Sequence, residues 1–159
     1  TGAILTGADL SGKDLTGTIL LGADLSYMNL TGVDLSGKDL TGTILTGVDL
    51  SGIDLTGTIL TGADLSGAIL ARADMTGAIL ARADLSGKDL TGARLTDVDF
   101  TRIDLTGTIL TGANLSHTNL TGVDLSGKDL TGTILTGADL TDVNLDNAIL
   151  NCVGHPICV

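Results

Sequence analysis

Large aromatic side chains are almost absent from this chain of 159 residues, which has no Trp and a single Phe and Tyr. A domain of this length usually builds its core from large side chains packed between layers, so a core of that kind is not expected. Small and aliphatic residues nevertheless bring the hydrophobic content to 43%, which is too apolar for a disordered chain. The chain therefore folds around Leu, Ile, Val and Ala.

Glutamate is also missing, because all 19 acidic residues are Asp, and the formal net charge is −11. This balance disfavours direct binding to nucleic acid or to anionic membranes and favours solubility, basic partners or metal cations. No apolar run approaches the roughly 18 residues of a membrane span. Thr1 is neither an initiator Met nor part of a signal peptide, so a processed or trimmed form is one interpretation.

A five-residue unit repeats without interruption through residues 1–150, and residues 31–50 (TGVDLSGKDLTGTILTGVDL) show four consecutive copies. Each unit ends in Leu at a multiple of five, with Met75 and Phe100 as the substitutes. A small or β-branched residue lies two positions earlier, and Asp or Asn usually separates the two. Ser or Thr and then Gly follow the Leu. The pattern predicts side chains that point in, out and in, followed by a two-residue corner.

A period of five fits neither an α-helix nor a continuous strand, so three extended residues must alternate with a corner. Gly at the second corner position suits a type II turn, which needs a positive φ there. Four such corners close a square coil of twenty residues, and stacked coils pair their backbones at about 4.8 Å. The sequence predicts an all-β fold of about 7.5 coils, roughly 36 Å long, with a lumen too narrow for aromatic side chains.

Repeats such as Ala-Asp-Leu-Ser-Gly at 63–67 and Ala-Asn-Leu-Ser at 113–116 match the Ala-(Asp/Asn)-Leu-X-X consensus. On these residues the chain resembles the pentapeptide repeat proteins of the cyanobacterial type. The resemblance implies a right-handed quadrilateral parallel β-helix, a solenoid, over residues 1–150. It implies much less about activity, because fold and function separate in repeat families.

The last nine residues, NCVGHPICV, leave the pattern and are predicted to form a C-terminal cap over residues 151–159. Cys152 and Cys158 lie close enough in sequence to form a disulfide, and free thiols are the other interpretation. A metal site with His155 lacks the usual spacing and is not expected. No comparable cap precedes Thr1, so the N-terminal coil is an unpaired edge through which copies of the chain are expected to self-associate.

Positions twenty apart should form columns along such a rod, and one column carries four consecutive carboxylates. These residues are Asp64, Asp84, Asp104 and Asp124. They either bind cations or a basic partner, or accept local backbone hydrogen bonds and keep the rod soluble. The middle of the chain also carries all four arginines, and together with the column these define the expected interaction surface. The arginines are Arg72, Arg82, Arg94 and Arg102.

Two groups of residues depart from the consensus. Four Lys occupy the small inward position, and because a bare ammonium is costly in the lumen, their heads should leave near a corner or pair with Asp. These are Lys13, Lys38, Lys88 and Lys128. Eight corners lack Gly and are expected to use another turn geometry, since positive φ is unfavourable for their side chains. They are Tyr27, Arg72, Arg82, Asp97, Arg102, His117, Asp142 and Asn147.

No nucleophile, base and orienting group can be identified, and a stack of coils offers no concave pocket, so neither catalysis nor a cofactor is expected. The sequence favours a rigid acidic scaffold that binds an unknown protein. As an alternative, quinolone-resistance members of the resembled family act as DNA mimics on DNA gyrase, but they are dimers with a C-terminal apolar interface that this chain lacks. An engineered array without an evolved partner is a third interpretation. Exported cyanobacterial relatives, the Cys pair and the missing Met favour a periplasmic or thylakoid-lumen location.

Overall fold

The structure is a computed structural model that describes residues 2–158. Thr1 and Val159, which the repeat and cap predictions include, lie outside the described residues. Within this range the chain forms no helix and no strand longer than one residue, and its regular structure consists of isolated parallel β-bridges. Apart from Val153, each bridge residue occupies the polar position of a five-residue unit.

The bridges join residues that are twenty apart, as in the series Ile4, Asp24, Ile44 and Asp64. Four units therefore make one coil, and the predicted twenty-residue register is confirmed. The polar positions form four columns, which we name faces A to D in chain order. At intervals of twenty, face A carries residues 4–144, face B 9–149, face C 14–134 and face D 19–139.

Two kinds of backbone hydrogen bond hold the coil together. Within a corner, the N–H of Ala8 donates to the carbonyl of Leu5 at 3.0 Å, and the equivalent bond recurs along the rod. Between coils, the N–H of Leu25 donates to the carbonyl of Ile44 at 2.8 Å. Since each unit has only three extended residues, its remaining backbone groups depend on the coils above and below.

Leucines at multiples of five fill the lumen, and those from Leu35 to Leu70 are completely buried. Phe100 occupies a Leu position and is also 0% exposed, so the prediction that the lumen excludes aromatic side chains is wrong. Phe100 belongs to the same buried core cluster as the leucines, and the inward positions on either side of it in the chain hold Val98 and Ile103. The lumen thus accommodates one aromatic ring at a Leu position.

All eight corners without Gly keep a positive φ, between 56° and 66°, so the prediction of a different turn geometry is wrong. At four of these corners the coil above fixes the geometry: the N–H of Tyr27 donates to the carbonyl of Thr46 and that of His117 to Thr136, both at 2.9 Å, and Arg72 and Asp97 make the equivalent bond. A different turn would turn these groups away from their partners. The left-handed conformation costs a non-Gly residue about 1–2 kcal/mol, which the stack offsets.

Aromatic corner side chains lie along the rod over the next coil. The Tyr27 ring covers Gly47, and the His117 ring covers Gly137 in the same way, leaving no space there for a Cβ atom. An aromatic ring at these two corners therefore requires glycine at the corner twenty residues later, whereas Arg82 is followed by Arg102 and Asp97 by His117.

The coil continues into the C-terminal segment with one residue fewer. Val153 bridges Ile134, nineteen positions earlier, and its carbonyl accepts the Leu135 N–H at 2.9 Å. Beyond it, Cys152 and Cys158 are joined by a disulfide, with their Cα atoms 4.9 Å apart. Gly154 lies so close to Thr136 that a side chain there would collide with that residue. Cys152 belongs to the buried core cluster, and Ile157 and Cys158 are partly buried against it.

The corner conformation predicts that Arg82→Gly stabilises the protein, because Gly adopts φ of 61° without the penalty of an L side chain. We expect the melting temperature to rise by about 2–4 °C. Asn147→Gly is the matched control at φ of 60°, where Asn already tolerates the left-handed region, and should shift it much less. Equal shifts in differential scanning calorimetry would contradict this account of the corners.

Candidate protein-interaction surface

The face A carboxylates are held in place by the chain itself. Oδ1 of Asp64 and of Asp84 accepts the backbone N–H two residues later at 2.9 Å, and Oδ1 of Asp104 does so at 2.8 Å. Asn114 makes the same bond with Ser116 at 3.0 Å, so the amide replaces the carboxylate geometrically. The predicted local hydrogen bonding of the polar position is confirmed.

These local bonds favour the ionised carboxylate. The hydroxyl and then the N–H of Ser86 hold the pKa of Asp84 below its ordinary value, and Thr106 does the same for Asp104. Because the folded pKa is depressed, the stabilisation is present above the unfolded pKa near 3.8 and is lost as the pH falls through the lower folded value. At neutral pH face A therefore presents charged, oriented side chains.

Like charges along face A act against one another. The carboxylate of Asp64 raises the pKa of Asp84, and that of Asp84 raises the pKa of Asp104, although both remain below their ordinary values overall. For Asp104 this repulsion is a larger effect than the attraction of Lys128. The carboxylates of face A therefore repel one another in the folded protein.

The lysine heads lie beside pairs of carboxylates at the corners. Lys88 lowers the pKa of both Asp64 and Asp84, and Lys128 similarly serves the pair at 104 and 124. Burial of the stem lowers the pKa of Lys128 itself. Lys38, Lys88 and Lys128 are half-buried and Lys13 is exposed. Among residues 2–158 none of these lysines forms an ion pair within 4 Å, so their heads lie near the carboxylates without direct contact.

The four arginines do not form one patch. Arg82 and Arg102 occupy the corner that enters face A, next to Asp84 and Asp104, whereas Arg72 occupies the corner that enters face C. Arg94 lies on face C, where its Nε contacts Oδ2 of Asp74 at 3.0 Å. Faces A and C are half a coil apart. The surface expected from the sequence is therefore divided between two opposite sides, which the twenty-residue register already implied.

Shallow crevices interrupt the coil surface. One has a volume of about 710 Å³, and its lining includes Ile79, Asp97, Asp99, Arg102 and Ile103. A second, of about 550 Å³, lies on the other side between residues 31–34 and 49–54. Neither crevice was predicted from the sequence, although Ile53 and Ile103, which line them, are larger than the usual residue of the inward position. Neither brings together a nucleophile, a base and an orienting group.

The described residues contain neither a metal-binding cluster nor a membrane-spanning helix. Across the described residues, no group of three His, Cys, Asp or Glu side chains is arranged to hold a metal ion. In the same range there is no helix long and apolar enough to cross a membrane. The features that remain are the charged faces and the crevices of a single-chain parallel β-helix.

The sequence matches the profile of a known repeat family. The family profile for pentapeptide repeats matches in eight copies, at residues 1–37, 29–62, 58–97, 89–127 and 113–151. The chain therefore belongs to the pentapeptide repeat family, whose fold is the right-handed quadrilateral β-helix. No curated protein matches the sequence.

Several solved structures are similar to this chain. HetL, a pentapeptide repeat protein involved in heterocyst differentiation regulation in the cyanobacterium Nostoc sp. strain PCC 7120, is 30% identical. That match covers 97% of this chain and 89% of HetL, with a TM-score of 0.36. A trypsin-treated form of QnrB1, a plasmid-mediated fluoroquinolone resistance protein, is 21% identical over 95% of this chain and 72% of its own, with a TM-score of 0.50. This second likeness concerns the fold alone.

Repulsion on face A predicts that Asp104→Asn is better tolerated than Asp89→Asn. Both amides keep the corner bond, but Asp104 lies between two carboxylates, whereas Asp89 lies between Ile69 and Ile109. We expect the Asp104→Asn protein to melt about 1–3 °C above the Asp89→Asn protein in low salt. The difference should shrink in 1 M NaCl, where the Debye length is about 3 Å. Identical melting temperatures in low salt would show that the carboxylates of face A do not interact.

Proposed function

We propose that this chain is a non-catalytic scaffold, a rod of about 7.5 coils that presents face A to a basic protein partner. The observation that carries the proposal is the run of four exposed carboxylates on consecutive coils of face A, at 64, 84, 104 and 124. The regular coil supplies a rigid support, and the fold family contains no enzyme among the structures compared.

Preorganisation favours binding at this face. Each carboxylate is already fixed by a local N–H, so a partner does not have to immobilise it, and the entropic cost of association is reduced. A column with charges about 4.8 Å apart suits Lys or Arg side chains on a partner's surface. Arg82 and Arg102 border the column and would limit which basic surfaces fit it.

A capture experiment with charge-matched variants tests this proposal. One variant replaces the four face A carboxylates with Asn, and the control replaces four Asp of other faces, at 49, 89, 129 and 139. Both have the same net charge. Proteins retained from the native source by wild type and control, but lost with the face A variant, are expected. Equal retention by the two variants, or none by any of the three proteins, would contradict the proposal.

DNA mimicry is the second candidate, and the observation that favours it is a second acidic column on the opposite face, at Asp14, Asp34, Asp54 and Asp74. The linear charge density of the rod places DNA mimicry below the scaffold proposal. A net charge of −11 over roughly 36 Å is about 0.3 charges per Å, compared with about 0.6 for duplex DNA. A gyrase supercoiling assay distinguishes the candidates, because a mimic inhibits at excess protein and a scaffold for another partner does not.

Two further expectations from the sequence stay predictions. A disulfide between Cys152 and Cys158 is compatible with an oxidising compartment, such as the periplasm or the thylakoid lumen. Self-association through the N-terminal coil is the other, and sedimentation velocity at several concentrations would detect it.

A further inference from the structure

The inward position two residues before each Leu controls how closely adjacent coils pair. Most units place Ala, Thr or Val there, but Lys38, Ile53, Lys88, Ile103 and Lys128 are longer or larger. At each of these five residues, two neighbouring steps to the coil below lack a β-bridge. At Lys88, for example, no bridge joins 64 to 84 or 69 to 89, whereas 89 is bridged to 109 in the coil above.

We name each such pair of bridgeless steps a seam. The remaining four seams have the same relation to their inward residue. They are 14–34 with 19–39 at Lys38, 29–49 with 34–54 at Ile53, 79–99 with 84–104 at Ile103, and 104–124 with 109–129 at Lys128. Every bridgeless step between residues 4 and 149 belongs to one of the five seams. Met28, whose side chain is both flexible and uncharged, occupies the same position without opening a seam.

Repulsion between carboxylates does not explain the seams. Asp54 and Asp74 are stacked like charges and are bridged, whereas Ile69 and Asp89 are not. Val in the preceding unit is not the cause either, because Lys88 follows Ala83 and still has a seam. Each seam does contain one Asp–Asp step, but the Asp54–Asp74 step has the small Ala73 in its inward position and is bridged, so the large inward side chain is what distinguishes the seams.

Two observations show what the seams do to the surface. Four crevices lie at seams, those of about 550 and 710 Å³ at Ile53 and Ile103, and two of about 260 Å³ at Lys38 and Lys128. At the Lys88 seam, the Gly87 N–H donates upward to Thr106 at 2.8 Å, but within residues 2–158 the Gly67 N–H has no backbone acceptor in the coil above it.

The lysine side chains point into their seams. Lys88 lowers the pKa of Asp64 in the coil below and of Asp84 in its own coil. Lys38 acts on Asp14 and Asp34 in the same relation. An ammonium placed between two carboxylates of adjacent coils both fills the opening and draws in water, which a closed β-bridge would exclude.

We propose that these five side chains are wedges that hold the coils apart at one corner, so that the rod consists of stiff blocks joined by compliant seams. The inward position accommodates Ala, Thr or Val at normal coil spacing. A larger side chain there moves the corner that precedes it away from the coil below. That corner joins two faces, which explains why two neighbouring steps open together.

The seams place the compliance of the rod on face A. Steps 64–84, 84–104 and 104–124 are all bridgeless, so the acidic column runs along the least paired side of the middle coils. The proposal does not depend on the proposed function, since it concerns the coil alone. It does predict that a partner on face A meets carboxylates whose spacing along the rod can change.

Amide hydrogen exchange measured by NMR tests the wedges. In the wild type, the amides of Leu65, Gly67 and Leu70, which lie below the Lys88 seam, should exchange at least about tenfold faster than Gly87 and Leu90, which donate to the coil above. Lys88→Ala should close the seam and slow the first three by a similar factor. Thr118→Ala, at a position whose two steps, 94–114 and 99–119, are both bridged, is the control and should leave exchange at these amides unchanged.

A converse variant tests the same rule. Ala113→Ile should open steps 89–109 and 94–114 and speed exchange at Leu90, Gly92 and Leu95, whose amides now donate at 2.8–3.0 Å. If Lys88→Ala leaves exchange at Leu65, Gly67 and Leu70 unchanged, or if these amides are already as protected as Gly87 in the wild type, the wedge proposal is overturned. Should Ala113→Ile fail to fold, the Lys88→Ala comparison alone decides.

Discussion

Backbone hydrogen bonding between successive coils is the constraint on which the rest of this structure depends. An extended segment of three residues is too short to pair with its neighbours in sequence, so it meets its own chain twenty residues later. This requirement makes the corners turn by a similar angle, which is why Tyr27 and Arg72 adopt the same left-handed φ as the glycines. It also fixes which side chains reach the lumen, and Leu supplies the apolar surface that is buried there.

The same constraint explains what could be read from the sequence. The period of five, the inward Leu and the twenty-residue register follow from side-chain chemistry alone, and Asp in the polar position has a local hydrogen-bonding role that spacing predicts. Corner geometry at Arg72 or His117 was predicted wrongly, because a local preference for negative φ was weighed without the bonds that the neighbouring coil imposes. Phe100 was misjudged because the repeat pattern gives no measure of the volume that the stacked coils enclose around a Leu position, where its ring is fully buried.

The candidate site was predictable in part. Counting by twenty brings Asp64, Asp84, Asp104 and Asp124 into one column, and the same count separates Arg94 from Arg82 and Arg102. The seams depend on volume inside a closed coil, for which a one-dimensional pattern gives no measure. Lys in SGKDL was recognised as a departure, but its downward direction and its effect on the corner required coordinates. The functional interpretation consequently combines two properties: oriented charge on face A, and a backbone that is less tightly paired beneath it.

The central claim is that any whole unit fits the stack and a single residue does not. It is tested by comparing two insertions between Asp64 and Leu65, one of LTGAD, which adds a complete unit, and one of a single Gly. The account predicts cooperative thermal unfolding for the LTGAD protein within about 3 °C of the wild type. It predicts a loss of more than about 5 °C for the Gly protein, because Leu65 would be turned out of the lumen. Equal melting temperatures for the two insertions would contradict the claim that coil-to-coil register holds this protein together.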